Sequence, residues 1–145
     1  MVRKITSFRG EHMFLSNFYM HPVRFAGRHY QSAEHAYQAQ KAQNIYDHEF
    51  IADAESPGKA KRNGRKIIRR PDWESVKLGI MARVLRAKFE DPELGRMLLD
   101  TGDAELVEGN TWHDFFWGIC DGVGENWVGE LLMAVRDTIR EEQAQ

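Results

Sequence analysis

The feature that most constrains the fold is an apolar stripe of helical period between residues 73 and 89. Apolar side chains recur there every three or four positions, a spacing that gathers them on one helix face that must pack against a core. Asp72, directly before the stripe, can cap such a helix. The stripe consists of Trp73, Val76, Ile80, Met81, Val84, Leu85 and Phe89. The segment therefore predicts a long core helix.

Start and stop signals predict further helices on both sides of this one. Ser32 can cap a helix, and Ser56-Pro57 and Asp91-Pro92 each join a capping residue to proline at the first helical position. Gly102 is predicted to end the helix that Asp91 begins. A last helix, which frays into a polar tail, carries its apolar face on Val128, Leu131, Leu132, Val135 and Ile139.

The remaining pattern indicates a small amount of sheet. Residues 23–25 and 28–30 read as a hairpin around Ala26-Gly27. Short strands or extended segments are also predicted at Leu106-Val107 and Phe115-Phe116-Trp117. No repeat or linker divides the chain, so the predicted fold is α+β: one helix-rich domain over residues 1–145 with a small antiparallel element.

Composition limits the class of protein. The chain has 145 residues, of which 42% are hydrophobic and 29% charged, as expected for a globular domain. Cys120 is the single cysteine, which excludes an internal disulfide and suits a reducing compartment. The first residues lack a signal-peptide pattern and no apolar run could span a bilayer. The sequence predicts a cytoplasmic protein without a membrane partner.

A basic segment interrupts the mildly acidic chain, whose formal net charge is −2. Seven cations lie between Gly58 and Arg70 without one acidic residue; they are Lys59, Lys61, Arg62, Arg65, Lys66, Arg69 and Arg70. Such a block suits an anion site or an edge that faces nucleic acid. A solvated helix face is the alternative.

Polar side chains occupy helical spacing in the segment that follows Ser32. Glu34, Tyr37, Gln38 and Lys41 stand at i, i+3, i+4 and i+7, the positions that share one helix face. They offer a carboxylate, a phenol, an amide and an amine, and their spacing does not give the i,i+4 Glu–Lys pairs of a solvated helix. The stripe indicates a site, with a solvated face as the alternative.

Aromatic residues surround further polar groups. Asp114 lies between Trp112 and Trp117, in a setting that suits general acid or base work, although loop aspartates commonly make turn hydrogen bonds instead. The two tryptophans could stack on a ring or pack in the core. Asn17, Phe18 and Tyr19 suit a pocket for a planar ligand or a strand that lines the core. The histidines and the one cysteine show no metal-ligand spacing, so neither a metal nor a cofactor is expected.

Ordered motifs along most of the chain resemble one family. They are Phe14 to Tyr19, Tyr30, Ser32 to Ala42, Pro57 to Arg65, Arg70 to Trp73, Ile80-Met81, Lys88-Phe89, Leu98 to Asp103, Leu106 to Glu108, Asp114 to Gly118 and Gly124 to Arg136. Together they resemble the NADAR (NAD- and ADP-ribose-associated), or YbiA-like, family of N-glycosidases, over about residues 14–136.

The resemblance implies hydrolysis of the bond between a ribose C1′ and a base nitrogen, without a cofactor. It implies two substrate classes: ADP-ribosyl-guanine in DNA or RNA, and the ribosylaminopyrimidine phosphates of riboflavin synthesis. A non-catalytic ADP-ribose-binding module is a third possibility. The implied catalytic residues are Glu34, Lys41 and Asp114. The expected substrate-binding residues are Asn17, Phe18, Tyr19, Tyr37, Gln38, Arg65, Trp112 and Trp117.

Two chemical routes are open at these residues. A fixed carboxylate can stabilise the oxocarbenium-like state while an acid protonates the leaving base, with Glu34 and Asp114 in interchangeable roles. Alternatively, the neutral amine of Lys41 attacks the C1′ aldehyde of an opened ribose and forms a Schiff base. That route requires a lowered pKa at Lys41, which burial or nearby cations would supply. Arg65, Lys59 or Lys61 would hold phosphate.

Overall fold

The computed structural model describes residues 3–145, which fall into two compact units. One unit is Asn17–Lys88, and the other joins the described residues up to Ser16 to Phe89–Gln145. The elements are, in chain order, β1 (Lys4–Ile5), a 3-10 helix (Gly10–Leu15), β2 (Met20–Phe25), β3 (Arg28–Ser32), α1 (Ala33–Ala39), α2 (Ile45–Ala52), α3 (Pro57–Gly64), α4 (Trp73–Lys88), α5 (Pro92–Leu99), β4 (Glu105–Leu106) and α6 (Trp127–Gln143).

The predicted α+β, helix-rich fold with a small antiparallel element is confirmed. Helices make up 49% of the chain. Within residues 3–145, no helix is long and apolar enough to cross a membrane. The prediction of one domain over residues 1–145 stays a prediction.

The hairpin forms where the sequence predicts it. β2 and β3 pair antiparallel, with Val23 opposite Tyr30 and Phe25 opposite Arg28. The two linking residues, Ala26 and Gly27, have φ of 52° and 80°. Two left-handed residues make the type I′ turn whose twist matches that of the strands it joins.

Capping side chains start the helices of the Asn17–Lys88 unit. Ser32 Oγ accepts the His35 N–H at 3.2 Å, and Ser56 Oγ accepts the Lys59 N–H at 3.1 Å. The predicted core helix is α4, whose Trp73, Ile80, Met81, Val84 and Leu85 are buried. The apolar stripe of α4 therefore forms part of the core of this unit.

The sequence analysis did not predict α2. Asn44 caps this helix by accepting the Asp47 N–H at 2.9 Å. Ile45, Tyr46 and Phe50 are exposed rather than buried. The helix therefore lacks the apolar stripe that identifies helices in a sequence, and its cap was the available signal.

The other unit contains a strand pair of a different kind. β1 and β4 pair parallel, with Lys4 opposite Glu105 and Ile5 opposite Leu106, whereas the sequence predicted only antiparallel sheet. The segment at Phe115–Trp117 is not a strand: it is irregular and bent. α5 ends at Leu99, and Gly102 follows in the left-handed region at φ 63°, consistent with the predicted stop.

Candidate active site

The polar stripe of α1 lies inside the protein. Every residue of α1 is buried, because β2, β3, α2, α3 and α4 all pack around it. Glu34, Tyr37 and Gln38 are only 7%, 4% and 4% exposed. The alternative of a solvated helix face is therefore wrong for these three side chains.

A hydrogen bond within the helix holds the Glu34 carboxylate. Gln38 Nε2 donates to Glu34 Oε2 at 2.9 Å, across one helical turn. The Glu34 N–H donates to the backbone oxygen of Asn17 at 3.0 Å, which fixes the start of α1. Burying a carboxylate is costly unless donors compensate it, so a carboxylate kept in this position indicates a chemical use.

The other end of the Gln38 amide packs against a glycine. Gln38 Oε1 is buried and accepts no hydrogen bond within the described residues. A Cβ added to Gly64 would come within 2.3 Å of this oxygen and 3.7 Å of Lys41 Cδ. Only glycine at position 64 leaves room for the amide that orients Glu34.

We expect Gly64→Ala to lower both stability and turnover. The added methyl group must displace the Gln38 amide, and overpacking of this kind costs about 1–3 kcal/mol. The displaced amide no longer orients Glu34, and a shift of about 1 Å at a reacting group costs on the order of a hundredfold in rate. Chemical denaturation and turnover assays would measure the two effects.

Gly79→Ala is the matched control, because a Cβ at this exposed position of α4 meets nothing within 4 Å. Alanine in a helix interior is about 0.5–1 kcal/mol more favourable than glycine, so this variant should gain stability and keep its turnover. Equal behaviour of the two variants would contradict the role assigned to Gly64.

The amine of Lys41 lies directly beyond the end of α1, against two aromatic rings. Lys41 Nζ is 5.9 Å from the centroid of Tyr37 and 5.7 Å from that of Trp73. Burial lowers the pKa of Lys41; Glu34 opposes this shift, and the positive charges of Arg69, Arg65 and Lys61 add to it. The pKa of Lys41 is therefore shifted in the direction that the Schiff-base route requires.

His35, the neighbour of Glu34, has a structural role. Its ring is fully buried, with Nε2 2.9 Å from the backbone oxygen of Ala54 and Nδ1 2.7 Å from Ser32 Oγ. Because a carbonyl only accepts, Nε2 carries the proton and Nδ1 accepts from the serine hydroxyl. Burial lowers the pKa of His35, which favours this neutral, fully bonded form.

The first motif brings Asn17, Phe18 and Tyr19 into the same unit. Asn17 Nδ2 lies 3.4 Å from the sulfur of Met81, and its buried Oδ1 has no partner within the described residues. Phe18 is partly exposed, with Lys61 Nζ 6.0 Å from its ring centroid. An accessible ring is a feature that a ligand can use.

The sequence analysis placed Lys88 in a family motif but not among the expected site residues. It is 1% exposed, and its Nζ lies 5.8 Å from the centroid of the Tyr19 ring. A lysine is almost never fully buried without compensation. The signal available in the sequence was a charged residue one position before the end of the apolar stripe at Phe89.

Arg65 is exposed at the C-terminal end of α3, where it adds to the field at Lys41. Its neighbours in the basic segment are partly neutralised: Arg69 pairs with Glu74 at 3.1 Å, and Arg70 binds both oxygens of Asp72 at 2.6 and 2.9 Å. The segment is therefore more than a row of solvated charges, since it also acts on the amine.

Asp114, Trp112 and Trp117 belong to the other unit. Asp114 Oδ1 accepts the N–H groups of Phe116 and Trp117 at 3.2 and 2.9 Å, so the turn hydrogen bonds that the sequence left open are present. Trp112 is 54% exposed, which excludes core packing for it. Trp117 is half-buried and packs edge-on against Phe116, with the ring centroids 4.7 Å apart.

We expect Asp114→Asn to keep the stability of the protein and Asp114→Ala to reduce it. Asparagine retains an Oδ1 that accepts the same two N–H groups, whereas alanine removes the acceptor, at a cost of about 1–2 kcal/mol. Thermal unfolding would measure this difference. Turnover of the stable Asp114→Asn variant then reports on the charge alone, and destabilisation of both variants would contradict the expectation.

Comparisons with known proteins show which family this chain belongs to. The NADAR domain model matches residues 6–140. The chain belongs to the NADAR domain family. It is similar to N-glycosidase YbiA of Escherichia coli, with 41% identity over 132 residues that cover 88% of this chain and 82% of that protein. The solution structure of E. coli YbiA superimposes with a TM-score of 0.87 at 37% identity, covering 100% of this chain and 90% of that one.

Two further relatives of this NADAR protein are a riboflavin biosynthesis protein and a second N-glycosidase. It is 38% identical over 134 residues to a riboflavin biosynthesis protein of Vibrio vulnificus, of which it spans only 36%. It is also 38% identical to an N-glycosidase of Nostoc punctiforme, of which it spans 84%.

The predicted family and the prediction of a hydrolase that acts on N-glycosyl bonds are confirmed. The assigned roles of single residues stay predictions. No cluster of three metal-ligating side chains occurs in the part of the chain that the structure describes.

Proposed function

We propose that this protein hydrolyses the C1′–N bond between ADP-ribose and guanine in nucleic acid, and so reverses ADP-ribosylation. The observation that carries this proposal is a buried, oriented carboxylate on α1 that acts electrostatically on a buried lysine just beyond the end of the same helix. N-Glycoside cleavage develops positive charge at C1′ and O4′, which a fixed carboxylate stabilises. Names of relatives as N-glycosidases support the reaction class.

Cations near the amine support a substrate that carries phosphate. Arg65, Arg69 and Lys61 all act on Lys41 electrostatically. A pyrophosphate would take up this positive charge, and guanidinium groups bind its oxygens in bidentate fashion. ADP-ribose has a pyrophosphate next to the ribose that reacts, whereas ribosylaminopyrimidines carry a single phosphate.

The roles follow from the contacts of each group. Glu34, oriented by Gln38, stabilises the ribosyl cation or activates the water that adds to C1′. The base leaves with a proton, and the water supplies the hydroxyl group that replaces it at C1′. Phe18 offers a partly exposed ring to the substrate, and Asn17 stays a proposed binding residue beside it. We keep Asp114, Trp112 and Trp117 as further proposed site residues in the other unit.

Hydrolysis of riboflavin-pathway ribosylaminopyrimidine phosphates is the second candidate, favoured by the riboflavin name of the Vibrio vulnificus relative. Parallel incubation with an ADP-ribosylated guanine oligonucleotide and with ribosylaminopyrimidine phosphates separates the candidates. We expect faster release of ADP-ribose from the oligonucleotide. Turnover of the pyrimidines alone would transfer the assignment to the second candidate.

A non-catalytic ADP-ribose-binding module is the third candidate. It would bind ADP-ribose and turn over neither substrate in the same experiment. No cofactor enters any of these candidates, and the compartment that the sequence predicts is the cytoplasm.

A further inference from the structure

Exposed apolar side chains and cations occur on two segments of the Asn17–Lys88 unit that hydrogen bonds join. Tyr46 and Ile68 are 84% and 80% exposed, far more than large apolar residues usually are. Lys66 and Arg69 flank Ile68 in the sequence and are also exposed. We call this set, with Ile45, the 45–69 face. Neither the fold nor the proposed reaction explains why it is apolar.

Hydrogen bonds bring the two segments of this face side by side. Gln43 Nε2 donates to the backbone oxygens of Ile68 and Arg69, both at 3.4 Å. Ala42 and Arg69 form an antiparallel bridge, and the Arg70 N–H donates to the backbone oxygen of Lys41 at 2.8 Å. Tyr46 is three residues beyond Gln43, in the first turn of α2.

The charge of the face is positive. Residues 59–70 contain seven cations and no acid. Glu74 pairs with Arg69 and Asp72 with Arg70, whereas Lys66 has no ion pair within the described residues. Asp47, an acid of α2, accepts a hydrogen bond from Asn44 at 3.3 Å. A second copy of the chain would present the same positive face, so like charges oppose self-association and favour an anionic partner.

We propose that the 45–69 face binds single-stranded nucleic acid, with unpaired bases on Tyr46 and Ile68 and phosphates on Lys66 and Arg69. Single-strand sites combine aromatic or apolar platforms with a cationic track in this way, and a duplex hides the base faces that the platforms need. This inference rests on the proposed function, because it names the macromolecule that would bring an adduct to Lys41. Arg69 belongs both to this face and to the cations that act on Lys41.

Fluorescence anisotropy with an unmodified, labelled oligonucleotide tests the proposal, using the same sequence as a single strand and as a duplex. We expect the single strand to bind more tightly. Tyr46→Ala should weaken single-strand binding by roughly five- to a hundredfold, the usual loss of one stacked base, and Ile68→Ser should weaken it by a smaller factor because isoleucine offers only an apolar contact. Lys66→Glu should weaken it and reduce the salt slope by about one unit for each phosphate that the variant no longer binds.

Arg83→Glu is the control, because it makes the same charge change as Lys66→Glu at an exposed position of α4. It should leave binding within about twofold of the native protein, as expected for a charge outside the contact. Equal binding of duplex and single strand, or equal loss in Lys66→Glu and Arg83→Glu, would overturn the proposal. A native dimer that Tyr46→Ala converts to a monomer would also overturn it, since the face would then join two copies.

The outcomes separate this proposal from the proposed function. The oligonucleotide is unmodified, so its binding needs no turnover. Turnover of free, mononucleotide-sized ADP-ribosyl-guanine should be unchanged in Tyr46→Ala and Lys66→Glu. Binding without turnover of any adduct would defeat the proposed function alone, and turnover without single-strand binding would defeat this inference alone.

Discussion

Replacing Glu34 with glutamine is expected to lower turnover by about a hundred- to a thousandfold while the fold is retained. Glutamine has the same shape and keeps an oxygen that accepts the hydrogen bond from Gln38. It loses the negative charge that stabilises the ribosyl cation. The measurement is kcat on the adduct, together with thermal unfolding and the dissociation constant of ADP-ribose.

A matched variant shows whether the loss of any carboxylate, rather than that of Glu34, lowers turnover. Glu49→Gln makes the same change on α2, where Glu49 pairs with Arg28 at 3.0 Å outside the polar stripe. We expect its turnover to stay near that of the native protein. If Glu34→Gln keeps full turnover, or loses turnover only because it unfolds, the catalytic role of Glu34 is wrong. If the native protein binds ADP-ribose without turnover, and Glu34→Gln binds it equally well, the binding-module candidate is supported.

The sequence predicted the start of α1 well, because local chemistry determines its geometry. Ser32 caps α1 as expected, and the cap sets the rotation that aligns Glu34, Tyr37 and Gln38. The spacing could not predict that this whole face is buried, because burial depends on the strands and helices that pack around a helix of seven residues. The spacing left a site and a solvated face as alternatives, and the family resemblance favoured the site, which stays a prediction.

The limits of sequence reasoning appear at Gly64 and Lys88. Gly64 reads as a helix end, but its small size matters because the Gln38 amide from another helix fills the space. Lys88 ends an amphipathic helix, where lysines normally reach solvent, and it is instead buried beside Tyr19. Both depend on contacts between residues more than twenty positions apart, which a single sequence does not reveal. The parallel pairing of β1 with β4 was missed for the same reason.

The second large effect is expected at Lys41, and it distinguishes a nucleophile from a positive charge. Arginine keeps the charge and the length of the side chain but cannot be deprotonated in a protein, so it cannot form an imine. If Lys41 is the nucleophile, Lys41→Arg should lower turnover by at least about a thousandfold. Borohydride reduction during turnover should trap ADP-ribose on the native protein at Lys41 and nothing on the variant, as mass spectrometry would detect.

The pH profile gives an independent test of the same step, because the attacking species is the neutral amine. It adds to C1′ of the ring-opened adduct and expels the guanine nitrogen, which takes up a proton, to give the imine. Water then adds to the imine and releases ADP-ribose and the free amine. Burial first, then Arg69, Arg65 and Lys61, lowers the pKa of Lys41, whereas Glu34 opposes the shift. The rate limb that rises with pH should therefore have its midpoint below the ordinary range of a lysine. Glu34→Gln removes the opposing charge, so any residual activity should show this midpoint at still lower pH. Two results together would contradict the nucleophile role: native turnover in Lys41→Arg, and a native pH profile without a rising limb. Lys41 would then be an electrostatic partner of the substrate phosphates.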